Sequence, residues 1–151
     1  MDIDVILHPT DGSRDAGKAL DLACDLARSH GAKLVIVHVQ GHHEWDVPPG
    51  GARRAGARRQ AGEPEVDLQR LRAQAVLDVA IAEAHGRGLP DVEPILVEGD
   101  AAGAIVEAAK AVEANLIVLG SRGLGDLQSL LLGSVSHKVM QRSSCSCLVV
   151  R

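Results

Sequence analysis

Apolar residues in this chain fall into two kinds of segment that alternate along it. Short apolar runs, Ile3 to His8, Lys33 to Val39, Val92 to Val97, Leu116 to Leu119 and Cys147 to Val150, read as strands. Between them, over Asp15 to His30, Glu65 to Arg87, Ala101 to Ala114 and Ser134 to Arg142, apolar residues recur at helical spacing. The first helix is announced by Asp11-Gly12-Ser13 and stopped by Gly31, and it carries Ala16, Ala19, Leu20, Ala23, Leu26 and Ala27 on one face. The second is expected to turn Leu68, Leu71, Ala75, Val79 and Ala82 inward, and the third Ile105, Ala109 and Val112.

The strands are apolar runs rather than alternating ones, so both faces of their sheet need a cover. Strands that alternate with helices imply parallel pairing through right-handed crossovers. The expected class is therefore α/β: a doubly wound, five-stranded parallel sheet with two helices on each face, a Rossmann-like or flavodoxin-like sandwich forming a single domain over residues 1–151. Residues 41–64 break the pattern with Pro48-Pro49-Gly50-Gly51 and Arg53-Arg54-Ala55-Gly56-Ala57-Arg58-Arg59, and read as a long surface loop. Pattern alone does not dictate strand order. We take the order 3-2-1-4-5, which makes the first and fourth strands neighbours where the winding reverses. Ligands of such sheets sit outside the carboxyl ends of the strands at that reversal. Those two ends carry Pro9-Thr10-Asp11-Gly12-Ser13 and Gly120-Ser121-Arg122-Gly123.

Composition narrows the class. A net charge of −4 argues against nucleic-acid or membrane-surface partners, which need a basic face. No apolar run approaches the ~20 residues of a membrane span. The acidic start, Met1-Asp2-Ile3-Asp4, does not read as a secretory signal, and three cysteines without paired spacing suit a reducing compartment, so a cytoplasmic protein is expected. Trp45 is the one aromatic residue, so the core must be aliphatic and a bound base would lie between aliphatic side chains and backbone.

The glycine segment carries the chemistry. Gly120-x2-Gly123-x9-Gly133-Ser134 runs from the end of a buried strand to the start of a helix. Glycines let backbone N–H groups approach a ligand, and a helix start adds unpaired donors and a positive partial charge, which together suit phosphate. Ser134 and Ser136 fall in the first turn of that helix, and Arg122 can add a charge-assisted bond. Asp11, acceptor-only when ionised, repels phosphate and suits a hydroxyl or an exocyclic amine, so it marks the nucleoside end.

With these residues the chain resembles the ATP-binding branch of the universal stress protein family. The resemblance covers nearly the whole chain. It rests on His8-Pro9-Thr10-Asp11-Gly12-Ser13, His38-Val39, Asn115-Leu116-Ile117-Val118-Leu119-Gly120-Ser121-Arg122-Gly123 and Leu132-Gly133-Ser134-Val135-Ser136-His137-Lys138-Val139. It implies a nucleotide site in which Asp11, after Pro9 and Thr10, meets the adenosine end and the backbone of Val39 meets the adenine edge. Gly120, Gly123, Gly133 and Ser134 then hold phosphate, with Leu119, Ser121, Arg122, Val135 and Ser136 along the same walls. It further implies ATP with Mg or Mn, a homodimer joined through Leu148, Val149 and Val150 of the last strand, and a regulated protein partner. Three positions depart from the family pattern. Asn115 stands for an Asp and is expected to alter a helix end, Ala101 stands for a Pro, and Cys145-Ser146-Cys147 stands for Cys-Pro-Val.

Catalysis has no comparable signature. The Gly-x4-Gly-Lys-Ser/Thr pattern is absent, and of the plausible bases Asp126 and His137 neither has a sequence warrant, so no catalytic residue is assigned. The reading preferred is a stress-response regulator whose bound ATP is a signal or stabiliser. A slow ATP hydrolase and an ATP-independent scaffold remain the alternatives. Other residues take blander readings. Adjacent His42 and His43, with Glu44 and Asp46, lack a predictable third ligand, and Arg53, Arg54, Arg58 and Arg59 read as a solvated loop. His8 and His38 read as strand-end residues satisfied by backbone, His137 as a surface position and Cys24 as core. Cys145 and Cys147 would be reactive only if exposed beside positive charge.

Overall fold

The computed structural model describes residues 2–41, 64–125 and 131–151. Its elements in chain order are β1 (Val5–Pro9), α1 (Arg14–His30), β2 (Lys33–Gln40), α2 (Pro64–Gly86), β3 (Val92–Glu98), α3 (Ala101–Ala111), β4 (Leu116–Gly120), α4 (Ser134–Arg142) and β5 (Ser146–Val150). Residues 42–63 of the expected loop, with the paired histidines, Trp45 and the arginine run, lie outside the described residues, as does Asp126.

The five strands form one parallel sheet of order β3-β2-β1-β4-β5, as expected. Local chemistry sets the helix ends. Ser13 caps α1 by accepting the Ala16 N–H at 3.2 Å, and Gly31 ends it in the left-handed region at φ 65°, where a side chain would be strained. Asp100 caps α3 by accepting the Gly103 N–H at 2.9 Å. Asn115 acts on a strand, not on a helix end. Its side-chain oxygen accepts the N–H groups of Asp4 and Val5, both at 2.8 Å, and so fixes the entry to β1.

Each face of the sheet carries two helices. Ile6, Leu34, Ile36, Leu116 and Val118 pack beneath Leu20, Ala23 and Ala27 of α1 and Leu77, Ala80 and Ala84 of α2. On the other face Leu7, Val35, Val37, Ile117 and Leu119 meet Ala102, Ile105 and Ala109 of α3 and Val139 of α4. The expected face of α1 is the buried one, with Leu26 half-buried at its edge. That of α2 is not. Leu68, Leu71 and Val79 are 47%, 67% and 59% exposed, and Ala75 and Ala82 are exposed too. The helix instead buries Ala73, Leu77, Ala80 and Ala84. Small residues let it lie close to the sheet, while the larger ones form a second, opposite stripe.

Candidate functional site

β1 and β4 are neighbours, so their carboxyl ends emerge side by side, and the turn after each faces the other. Asp11 joins them. One of its oxygens accepts the Ser13 N–H at 2.9 Å, closing its own turn, and the other accepts the Leu124 N–H at 2.9 Å, 113 residues away. The Ser13 hydroxyl donates to the Arg122 carbonyl at 3.4 Å. Thr10 is held from the β2 side: its N–H donates to Val37, and the His38 imidazole donates from Nδ1 to its carbonyl at 2.8 Å.

Behind this crevice lies a latch that the sequence reading missed. Asp15, in the first turn of α1, is buried. Its Oδ2 accepts the Ser121 hydroxyl at 2.9 Å and the Arg122 Nε–H at 3.4 Å, and Lys18 Nζ lies 3.7 Å from Oδ1. The Ser121 hydrogen bond, and then the Arg122 cation, hold its carboxyl below the usual carboxylate value despite burial. A lone Asp in a helix's first turn gives no sign of such a role, since the same residue serves any helix start.

Gly120 shows why β4 ends in glycine. A Cβ there would fall 2.7 Å from the carbonyl carbon of Asp15 and 2.8 Å from the Ala16 nitrogen, both backbone atoms. The first turn of α1 therefore reaches the strand end only across a residue without a side chain. The chain then runs through Ser121, whose N–H donates to Val150 at 2.7 Å, and later returns so that the Gly133 N–H meets the Ser121 carbonyl. Ser136, buried in α4, donates its hydroxyl to the Gly120 carbonyl at 2.7 Å.

These contacts surround a cavity of about 110 Å³ on the α3/α4 face of the sheet. Ten of the expected residues line it: Pro9, Thr10, Asp11, Val39, Leu119, Gly120, Arg122, Gly123, Val135 and Ser136. Ser121 is buried behind it, and Gly133 and Ser134 lie outside its lining, Gly133 as the residue preceding α4 and Ser134 exposed in its first turn. Ala16, Val37, Ala101 and Ile105 complete the wall and were not expected there. Val37 was within reach of sequence, because it lies two residues from Val39 and so shares its face. His137 is exposed on α4, away from that lining.

The polarity of the crevice is uneven. Val37, Val39, Ile105 and Leu119 make one side apolar. At the other, α4 begins at Gly133 without any side-chain cap, in contrast to the Ser13 and Asp100 caps of α1 and α3. Its N-cap residue, Gly133, supplies no side-chain acceptor to its first-turn amides. An apolar slot beside an open helix start, with the Asp11 carboxylate in the same lining, has the chemistry to take a ring at one end and an anion at the other.

The profile of the Universal stress protein family matches residues 3–151. The chain belongs to that family. A Thermus aquaticus relative described as "Universal stress protein in QAH/OAS sulfhydrylase 3'region" is 38% identical over 97% of both chains. Among solved structures, the hypothetical protein MJ0577 superposes with a TM-score of 0.80 at 26% identity, covering 99% of this chain and 96% of that one. A universal stress protein solved in complex with cAMP superposes at 0.71 with 29% identity, covering 100% and 98%. Within this universal stress protein no described helix is long and apolar enough to cross a membrane.

Proposed function

We propose that this universal stress protein is a regulator that binds an adenine nucleotide, ATP foremost, in the crevice between the β1 and β4 turns. The uncapped start of α4 beside that crevice is the observation that carries the reading. Adenine would lie against Val39, Val37 and Ile105, Asp11 would accept a ribose hydroxyl, and the phosphates would pass Gly123 and Gly133 to meet the first-turn amides of α4 at Ser134 and Val135. Mg or Mn would enter bound to phosphate oxygens. The relative solved with cAMP supports an adenine nucleotide as the ligand class. Bound nucleotide acts through linkage: a ligand selective for the folded form stabilises it by about 2.7 kcal/mol at a hundredfold excess over Kd. Bound nucleotide would also change the surface that the Gly120 and Gly133 turns offer, which a protein partner reads.

β5 lies at the sheet edge, paired only with β4 among the described strands, and it is short and apolar. A second copy pairing along Leu148, Val149 and Val150 would cover it and give a homodimer. Sedimentation should find dimers that Val149→Pro converts to folded monomers. Dimers surviving that change would reject the strand-edge interface.

The deciding experiment for the nucleotide is mass spectrometry of ligand released from the purified protein, with calorimetric titration of ATP, ADP, AMP and cAMP. Co-purified nucleotide, or heat on titration, is the expected result. A second reading has its own support. Both Asp11 oxygens, the Ser136 hydroxyl and the bare Gly120 already serve intramolecular roles, as a ligand-independent scaffold would need. No released nucleotide and no heat with any of the four would establish that reading instead.

A further inference from the structure

We propose that Cys145 and Cys147 form a two-coordinate site for a soft monovalent cation of the Cu(I) class at the start of the edge strand. This stands apart from the nucleotide reading, since neither residue borders the crevice. Both cysteines are free and half-buried. Ser146 between them opens β5 and pairs with Leu116, so its own backbone is extended; Cys145 lies in the bend just before the strand, and both cysteines turn to the same side of the sheet. Both pack against the cluster under α3 and α4. Ser143 precedes them. Its hydroxyl lies 3.3 Å from Cys145 Sγ, and the Cys147 thiol donates to the Cys145 carbonyl at 3.8 Å, so both sulfurs sit over the same short stretch of chain.

Spacing decides what such a pair can do. Same-face neighbours on an extended strand have Cα atoms about 6.6–7 Å apart. A disulfide needs Cβ atoms only ~3.5–4.5 Å apart, so closing one would pull Ser146 out of its pairing with β4. A linear S–metal–S unit asks for sulfurs about 4.6 Å apart, twice a ~2.3 Å thiolate bond, which side-chain rotation supplies while the strand stays in place. Thiolates select soft ions. Among the described residues no three His, Cys, Asp or Glu side chains gather to hold a metal, so four-coordinate zinc lacks its ligand set and a two-coordinate ion does not. Binding is a proton exchange without redox change: two thiols and M⁺ give a bis-thiolate complex of charge −1 and release two protons. Cys24 takes no part, since it is sealed in the inner face of α1, where burial pushes its thiol up to about 11.

The test is anaerobic competition for Cu(I) between the reduced full-length protein and a chromophoric chelator, with Zn(II) as the parallel arm. The wild type should withdraw one Cu(I) per chain and leave Zn(II) with its chelator. Cys147→Val and Cys145→Ser should each lose that capacity, and Cys24→Ala should keep it. Valine nearly matches the volume of cysteine on a half-buried strand, and an unchanged melting temperature of Cys147→Val separates ligand loss from unfolding. No uptake by the wild type, equal uptake by Cys147→Val, or equal uptake of Zn(II) would each overturn the proposal.

Discussion

The two faces of the sheet are covered unequally. On one, α1 and α2 run 17 and 23 residues; on the other, α3 and α4 run 11 and 9. At ~1.5 Å per residue the second pair is roughly half the length of the first. The cavity lies on the short-helix side, at the starts of α3 and α4, over the carboxyl ends of β1, β2 and β4. The long-helix side buries even a histidine, His8, completely. The crevice thus opens on the face with the shorter helices, and we expect folding stability to rest more heavily on the other. Substitutions should separate the two.

Paired deletions make the largest test. Leu77→Ala removes a side chain that is 2% exposed under α2 and should cost about 2–5 kcal/mol. Ile105→Ala removes comparable carbon from the cavity wall, where the space already exists, and should fall at or below the bottom of that range, about 2 kcal/mol. Urea midpoints at constant m-value read both. Equal costs would mean that the two faces are packed alike.

Acid should act next, and on the closed face. His8 donates from Nδ1 to the Val118 carbonyl at 2.9 Å, and its Nε2 has no partner among the described residues. Burial lowers its pKa from 6.5 to about 4, outweighing the Val118 bond and the Asp11 charge, which favour protonation. Below 6.5 the unfolded chain takes up a proton that the native state refuses, so stability is full above that pH. It should fall on the order of 3 kcal/mol by pH 4. Asp15, whose carboxyl is lowered from 3.8, loses its contribution only below that window. Urea unfolding at several pH values should show the slope in the wild type and a flat line between pH 6.5 and 4 in His8→Leu. A slope that persists in the variant would assign it elsewhere.

On the open face, filling the crevice should leave folding alone. Ala101→Leu adds a side chain to the cavity wall at the start of α3. We expect nucleotide affinity to fall at least about tenfold, some 1.4 kcal/mol, with a smaller change in the urea midpoint. Full affinity in a well-folded Ala101→Leu would place the ligand outside this cavity.

What the sequence disclosed follows the same division. The alternating strands and helices, the two turns of Asp11 and Gly120 and most of the cavity wall were legible, because apolar runs, glycines and a capping turn each carry a local signal, whereas the strand order had to be adopted. Asp15 was not, because its value depends on Ser121 and Arg122, which only the folded chain brings to it. Gly120 was assigned to a ligand, yet the backbone of α1 already accounts for its missing side chain. Among the helices, α1 has a single apolar face and its orientation could be read directly. α2 has two. Leu68, Leu71, Ala75, Val79 and Ala82 recur at intervals of 3, 4, 4 and 3 residues and look like a core stripe, while the face that meets the sheet is mostly alanine. Periodicity gives the axis of such a helix but leaves its rotation open, and large residues drew the assignment to the wrong side.

That rotation yields the smallest and sharpest prediction. If the inner face of α2 is the alanine-rich one, Leu71, 67% exposed, contributes little to folding. Leu71→Gln keeps the helix propensity nearly unchanged and removes apolar surface that water already reaches. Its unfolding free energy should stay within about 0.5 kcal/mol of the wild type, well short of the Leu77→Ala loss six residues further on. The sign also matters: a small gain in solubility with no loss of stability is what an outward stripe predicts. A loss of about 2 kcal/mol or more would mean that Leu71 is covered in solution, and the contrast between a closed inner face and a free outer one on α2 would fail.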